Sequence, residues 1–420
     1  MIKNKAYRKR CKKMGVYLDG AANTPMDPEV LKAMLPYMNG YVGNSHSDHF
    51  FGAESSVAVS EARASIADNL GVTPEEVFFT SGATEGNNQV ILGLALHELE
   101  TNGHRKKVIC SAIEHSSVLM CCKKLEKLGF NVVYVRPRRT GGISVIDVAR
   151  YLDNDTLLAC VMAVNNETGV ANPLNSIAQV VHGEGAKLLG DCTQALTLGG
   201  EYANLGDFYP KVDYMTFSAH KIYGPTGVGI LVAREGAPLY PILSGGSQEN
   251  GLRGGTHNLA GIVGAAKAVE LLRGEEDTPL YSSLYEYLKK KLAKLNSSLP
   301  LEPPIQFTVP YTHTSRGLYH CNIVSIDCSG VGNFEDYAAT LSNYGVAVSA
   351  GAACDVTEPG VPPKPSHVLT AMGISPDVAK MTIRVSFTKY TTTKDIDTLV
   401  NAIKKTIDQS LKARSPYEDK

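Results

Sequence analysis

The stretch Val212-Asp213-Tyr214-Met215-Thr216-Phe217-Ser218-Ala219-His220-Lys221-Ile222-Tyr223-Gly224-Pro225 decides the fold. Residues 212–218 form a nearly continuous apolar run of strand length, the pattern of a parallel strand covered on both faces. Directly after it come His220 and Lys221, then the turn pair Gly224-Pro225. Lysine favours solvent and seldom sits at such a junction. Ligands of open α/β sheets gather at the carboxyl ends of strands, so Lys221 stands where chemistry is done. Gly224, Gly227 and Gly229 precede a strand rather than a helix, so they do not form a dinucleotide fingerprint.

Outward from this stretch, strand-like runs occur at 76–80, 107–112, 131–136, 157–164, 187–190 and 229–233. Helical patterns fall between them at 56–70, 87–100 and 116–128; Val59, Ala62, Ile66 and Leu70 share one face of the first. Such alternation over about 200 residues predicts a doubly wound α/β sheet of seven mainly parallel strands. A helix at 260–273 leads into the polar stretch Gly-Glu-Glu-Asp-Thr-Pro at 274–279, which reads as a boundary. The expected organisation is a large α/β domain at 16–275 and a smaller α+β domain at 280–420. The first ordered residues of the large domain are expected to pack on the small one. No repeat or low-complexity segment is present.

The chain has 420 residues, 43% of them hydrophobic and 20% charged. Its 41 Lys and Arg balance 42 Asp and Glu, which gives no global pull toward nucleic acid or an anionic membrane. No apolar run approaches the ~18 residues of a membrane span. Nine cysteines stand at 11, 110, 121, 122, 160, 192, 321, 328 and 354, an odd number without a Cys-x-x-Cys ladder. This argues against a disulfide scaffold and against a zinc ribbon; no metal site is expected. The expected setting is reducing and cytoplasmic. Residues 1–14 hold seven Lys and Arg and no acid, which reads as a flexible basic tail, with mitochondrial or related organelle targeting as the alternative.

The other strand ends extend the argument. Residues 76–80 run into Ser81-Gly82-Ala83-Thr84-Glu85-Gly86, a small-residue turn entering a helix, which is either a phosphate cradle or a plain tight turn. Residues 107–112 lead to Glu114-His115-Ser116, residues 157–164 to Asn165-Asn166-Glu167-Thr168-Gly169, and residues 187–190 to Asp191 and Gln194. Together they supply a phosphate cradle, an imidazole, an amide, a carboxylate, a hydroxyl and an amine. Pyridoxal 5′-phosphate asks for this set: a lysine for its aldehyde, a carboxylate to hold the proton of its ring nitrogen, a flat stacking partner, and donors for its phosphate.

In its motifs the chain resembles the cysteine desulfurases and selenocysteine lyases, a branch of the fold-type I, class V aminotransferase-like enzymes. The matching segments run from Tyr17-Leu18-Asp19 to about Thr393. They include Thr80-Ser81-Gly82-Ala83-Thr84-Glu85, Asp191-Cys192-Thr193-Gln194-Ala195, Ser218-Ala219-His220-Lys221, Gly245-Gly246-Ser247-Gln248-Glu249, Arg253-Gly254-Gly255-Thr256, Ser349-Ala350-Gly351-Ala352-Ala353-Cys354 and Ile383-Arg384-Val385-Ser386. The resemblance implies that Lys221 is the Schiff-base lysine, Asp191 the partner of the pyridine nitrogen and Gln194 the donor to the ring hydroxyl. His115 is implied as the stacking imidazole that also moves protons. Ala83, Thr84, Ser218 and His220 are implied as phosphate ligands. Thr256 is implied to reach the phosphate of a neighbouring subunit, which makes a homodimer the expected assembly. Asn166 and Arg384 are implied to hold the substrate α-carboxylate, for which a planar guanidinium fork is well matched.

Cys354 resembles the catalytic cysteine. It opens a Gly- and Pro-rich loop at 355–365, and an ordinary thiol pKa of ~8.5 requires a neighbour that lowers it or takes its proton. His115 is one candidate and His367 a second. Cys121-Cys122 reads as part of a helix. Asn23 stands where Thr is commoner in the family, and Ser45-His46 where Pro-Ser is usual, which bears on specificity rather than on the cofactor. The implied function is L-cysteine desulfuration, giving L-alanine and a Cys354 persulfide for iron–sulfur cluster assembly or tRNA thiolation. The alternative is a selenocysteine lyase. Implied partners are L-cysteine or L-selenocysteine and protein sulfur acceptors such as scaffold proteins, with no membrane and no direct nucleic-acid binding.

Overall fold

A computed structural model describes residues 14–40, 42–274, 277–299, 301–309, 320–350 and 364–414. The chain begins with a short strand, β1 (Val16–Tyr17). Seven strands follow: β2 (Val77–Thr80), β3 (Lys107–Ser111), β4 (Asn131–Val135), β5 (Thr156–Cys160), β6 (Lys187–Asp191), β7 (Tyr214–Ser218) and β8 (Gly229–Ala233). They form one sheet in the order β2-β8-β7-β6-β5-β3-β4. β8 is antiparallel to both neighbours, and all other adjacent pairs are parallel. β2, β3, β5, β6 and β7 therefore end on one edge.

The period of two along each strand sorts side chains onto two covered faces. Phe79, Ile109, Leu188, Phe217 and Ile230 pack with the helices Phe50–Leu70, Leu174–Gly183 and Leu259–Gly274. Phe78, Val108, Leu158, Leu189 and Leu231 pack with Ala83–Glu100 and Ser116–Lys127. β5, β7 and β8 are buried along their whole length. Capping sets the helix limits: the His49 side chain accepts the Gly52 N–H at the start of Phe50–Leu70, and Gly71 closes that helix at φ 68°.

A third apolar cluster surrounds a three-stranded antiparallel sheet of β9 (Gln306–Phe307), β10 (Ile323–Asp327) and β12 (Thr382–Ser386), in the order β12-β10-β9. The helices Thr278–Ser298 and Thr393–Arg414 pack on it. β1 pairs in parallel with β11 (Val346–Ala347), and Leu18 is fully buried in this cluster. The start of the described chain is thereby bound to its C-terminal third. Among the described residues no helix is long and apolar enough to cross a membrane.

Six of the seven expected strand runs differ at a limit, by one to four residues, and two of these differences have a local reason. Glu76 belongs to a short turn, Pro74–Glu76, closed by a capping box with Thr73. The run at 157–164 leaves β3 after Cys160, because β3 itself ends at Ser111. It stays beside β6 through the Val161 N–H to the Leu189 carbonyl at 3.0 Å and the Ala163 N–H to the Asp191 carbonyl at 2.9 Å.

Gly229 shows how tightly the edge is built. A Cβ placed there lies 2.4 Å from Gly82 Cα, a backbone atom that cannot turn aside. Gly229→Ala should therefore lower unfolding stability by about 1–3 kcal/mol, the range for overpacking, in a denaturant titration.

Candidate active site

The shared edge opens onto a cleft of about 780 Å³, mouth included. β2 delivers Ala83 and Thr84, β3 His115, β5 Asn166, β6 Asp191 with Thr193 and Gln194, and β7 Ser218, His220 and Lys221. Arg384 enters from β12, and the turn at Ala21 and Ala22 closes one side.

Lys221 Nζ donates to the carbonyl oxygens of Ala21 and Ala22, each 2.7 Å away. Asp191, the last residue of β6, is 6% exposed, and both its oxygens are held. Oδ2 accepts from Asn87 Nδ2 at 3.0 Å and Oδ1 from the Thr193 N–H at 3.0 Å. His115 is the N-cap of Ser116–Lys127, and its side chain accepts the Ser117 N–H at 3.2 Å. The Ala83 N–H, at the start of its helix, donates to Ser218 Oγ at 2.9 Å. Burial, helped by the charge of Lys221, pushes the His220 pKa down to about 4, so this imidazole is neutral at pH 7. Glu114, beside His115 in sequence, is pushed up to about 8 by burial despite hydrogen bonds from Ser111 and the Met162 N–H, and carries a proton at neutrality.

Arg384 is 2% exposed. Nη2 donates to Asp19 Oδ1 at 2.7 Å and Ser349 Oγ at 3.1 Å, and Nη1 to the Asn166 carbonyl at 3.2 Å. Three buried atoms on these cleft residues have no hydrogen-bond partner among the described residues: Thr193 Oγ1, Gln194 Oε1 and Arg384 Nε. An orphaned buried polar atom costs about 1–3 kcal/mol, so three around one cleft mark a place built for a polar ligand.

Thr256 is exposed and does not line the cleft. Its loop is clamped from behind. Glu249 accepts from Arg63 at 2.6 and 2.9 Å, from His257 Nε2 at 2.7 Å and from the Phe79 N–H at 2.9 Å. Glu249 and Asn250 both hold left-handed backbone, with φ 47° and 57°, a strain the clamp sustains. Arg253 pairs with Glu85 at 2.8 Å. Cys354 lies outside the described residues, as does Cys11. The seven described cysteines are all buried and outside any disulfide, and Cys121 and Cys122 lie in Ser116–Lys127. His367 Nε2 lies 3.0 Å from the Glu114 carbonyl oxygen.

Sequence reasoning assigned no role to Asn87, Asp19 or the Arg63–Glu249 pair. Asn87 carried one usable signal, an amide placed four residues into a helix on an otherwise apolar face. The pairs join residues 365 and 186 positions apart and leave no local trace.

The family model described as aminotransferase class-V matches residues 16–399. Cysteine desulfurase IscS of Dictyoglomus turgidum is 36% identical over 416 residues, which is 97% of this chain and 98% of that protein. A NifS-like protein of known structure superposes with a TM-score of 0.80 at 32% identity, over 94% of this chain and 100% of that one. The structure of SspA in complex with cysteine gives 0.73 at 31% identity, over 90% and 100%. The chain belongs to the aminotransferase class-V family and, within it, to the cysteine desulfurases.

The clamp has a pH signature. Burial raises the Glu249 pKa, but the hydrogen bonds from His257 and Arg63 outweigh it and hold the group near 2, below its ordinary 4.5. Its stabilisation is therefore complete above about pH 4.5 and is lost as pH falls toward 2. At ~1.4 kcal/mol per pH unit, Glu249→Gln should cost about 3 kcal/mol at pH 7. Urea titrations across this range should show a flatter acid limb for the variant.

Proposed function

We propose that this chain is a pyridoxal-phosphate-dependent L-cysteine desulfurase. The observation that carries the reading is the meeting of Lys221, Asp191, His115 and Arg384 on one cleft. The residues present fit the cofactor. Lys221 supplies an amine, Asp191 a buried carboxylate for a ring nitrogen, His115 a flat ring, and Gln194 an amide with an unmet hydrogen bond. Ala83, Thr84, Ser218 and His220 surround a helix start whose backbone donors suit a phosphate. Bound there, the cofactor would supply an electron sink for the substrate α-carbon.

Each side chain then has a task. Arg384 and Asn166 bind and orient the substrate α-carboxylate. Lys221 Nζ takes the α-proton and later returns one. Asp191, oriented by two donors, would hold the proton of the ring nitrogen when the cofactor is bound. The Cys354 thiolate attacks the substrate sulfur: a sulfur–sulfur bond forms, the carbon–sulfur bond breaks, and its electron pair stays with the carbon fragment. Protonation of that fragment yields L-alanine, and the sulfur remains as a Cys354 persulfide. His115, on the cleft wall, is the group placed to move protons during these steps. The cysteine complex of SspA supports cysteine over selenocysteine as substrate.

We also propose that 16–275 and 280–420 are the two domains and that the protein is a cytoplasmic homodimer. Thr256, exposed and outside the lining of its own cleft, then serves the partner's phosphate site. Protein sulfur acceptors would take the persulfide.

Lys221→Ala should give a colourless protein without turnover, where the native protein absorbs above the protein band and bleaches with borohydride. A native protein that stays colourless after reconstitution would falsify the cofactor reading. Cys354→Ala should keep the colour and lose alanine production by at least ~100-fold, the order expected when a nucleophile is removed. After cysteine addition, peptide mass spectrometry should place the extra sulfur on Cys354; finding it on Cys121 or Cys122 alone sinks the nucleophile assignment.

A further inference from the structure

A chain of hydrogen bonds beneath the cleft joins two of the groups just described. Asn87, in the helix Ala83–Glu100, is fully buried. Its Nδ2 donates to Asp191 Oδ2 at 3.0 Å and to Ser117 Oγ at 2.9 Å, and its Oδ1 accepts from Thr216 Oγ1 at 2.6 Å. Ser117 Oγ in turn lies 2.9 Å from His115 Nδ1. Ser117 and Thr216 are buried as well, at 8% and 0% exposure.

The direction of this chain is determined by chemistry. An ionised carboxylate only accepts, so the end of Asn87 facing Asp191 must be its NH2 group. The second hydrogen of that group goes to Ser117 Oγ. The Ser117 backbone N–H already points at His115 Nδ1 from 3.2 Å, so Nδ1 is an acceptor. The hydroxyl, having accepted from Asn87, sends its own hydrogen to Nδ1. A neutral imidazole with Nδ1 as acceptor carries its proton on Nε2.

We propose that Asn87 is a positioning residue for desulfuration. Its amide ties Asp191 to His115 through Ser117, fixing the carboxylate that would meet the cofactor's ring nitrogen and the imidazole as the Nε2–H tautomer in one rigid unit. This rests on the desulfurase reading above. Asn87 and Ser117 do not line the cleft; they act by holding two residues that do, Asp191 and His115. With Nδ1 occupied from below, His115 takes part in the reaction as a donor through Nε2.

The test is ring-¹⁵N histidine NMR of the protein as purified, with His115 assigned by loss of its signals in His115→Gln. The native spectrum should show Nδ1 unprotonated and Nε2 protonated; a protonated Nδ1 overturns the proposal. Ser117→Ala should weaken the Nε2–H preference and lower kcat for L-cysteine by ~10–100-fold, the cost typical of losing a group that orients a functional imidazole. KM should move by less than ~3-fold, since substrate binding is untouched. Ser117→Thr, which keeps the hydroxyl, should recover both the tautomer signal and most of kcat. Asn87→Ala should reproduce Ser117→Ala; if it does not fold, the Ser117 pair decides. An unchanged His115 spectrum and kcat in Ser117→Ala overturns the proposal. A native protein without desulfurase activity defeats the functional reading instead, while the NMR comparison still judges the hydrogen-bond chain.

Discussion

One hydrogen bond, from the Ala83 N–H to Ser218 Oγ at 2.9 Å, joins the ends of two strands that are not neighbours. β2 and β7 are separated by β8, the single antiparallel strand of the large sheet. The bond forms only because β8 begins with a residue lacking a side chain, which lets the Gly82 backbone lie against Gly229. From that closure the rest of the site follows. The helix Ala83–Glu100 starts at the cleft with Ala83 and Thr84 on its lining, Asn87 arrives one turn later beside Asp191, and Lys221 emerges three residues beyond Ser218.

At the cleft and behind the neighbouring loop, several largely buried charges face partners of opposite sign. Arg384 faces Asp19, Glu249 faces Arg63 and His257, and Arg253 faces Glu85. Such pairs add little net stability over apolar packing, because desolvation offsets most of the attraction. Their value here is geometric. Each has its charge and direction determined by more than one partner, so the groups facing the cleft cannot relax to other arrangements. The same partnering fixes a guanidinium in β12 relative to a carboxylate brought in by the first described residues.

Much of this was legible in the amino-acid order. The strand carrying Tyr214–Ser218 is apolar because both its faces are covered, and that condition writes itself into consecutive residues. Strand limits were recovered to within four positions for the same reason, whereas the helix expected at 56–70 begins six residues earlier, at Phe50. Ala83, Thr84, His115, Asn166, Asp191, Gln194, Ser218, His220, Lys221 and Arg384 do line one cleft, since reading strand ends amounts to reading a single edge of a parallel sheet. What was not legible depends on meetings between distant segments. The Asp19–Arg384 and Arg63–Glu249 pairs have no period and no spacing that announces them. Asn87 looked like any polar helix residue, because its meaning comes from β6, β7 and the helix Ser116–Lys127 together. The extension of the β5 segment past Cys160 was read correctly as extended chain, but its loss of β3 as a partner depends on where β3 stops.

The pairing of β1 with β11, and of Asp19 with Arg384, has a consequence in time. The cleft wall at Ala21 and Ala22 is held in place by residues made long after it: the Ala21 N–H donates to Ser386 Oγ, and Asp19 meets Arg384, each 365 positions later in the chain. At ~5–20 residues per second, synthesis keeps those two parts separated for tens of seconds. During that interval the large sheet can assemble with its lysine edge uncovered, and the site closes only as the last strand docks. The wall of the cleft that carries Ala21 and Ala22 thus reaches its final contacts only after β12 has been made, an order set by the chain itself.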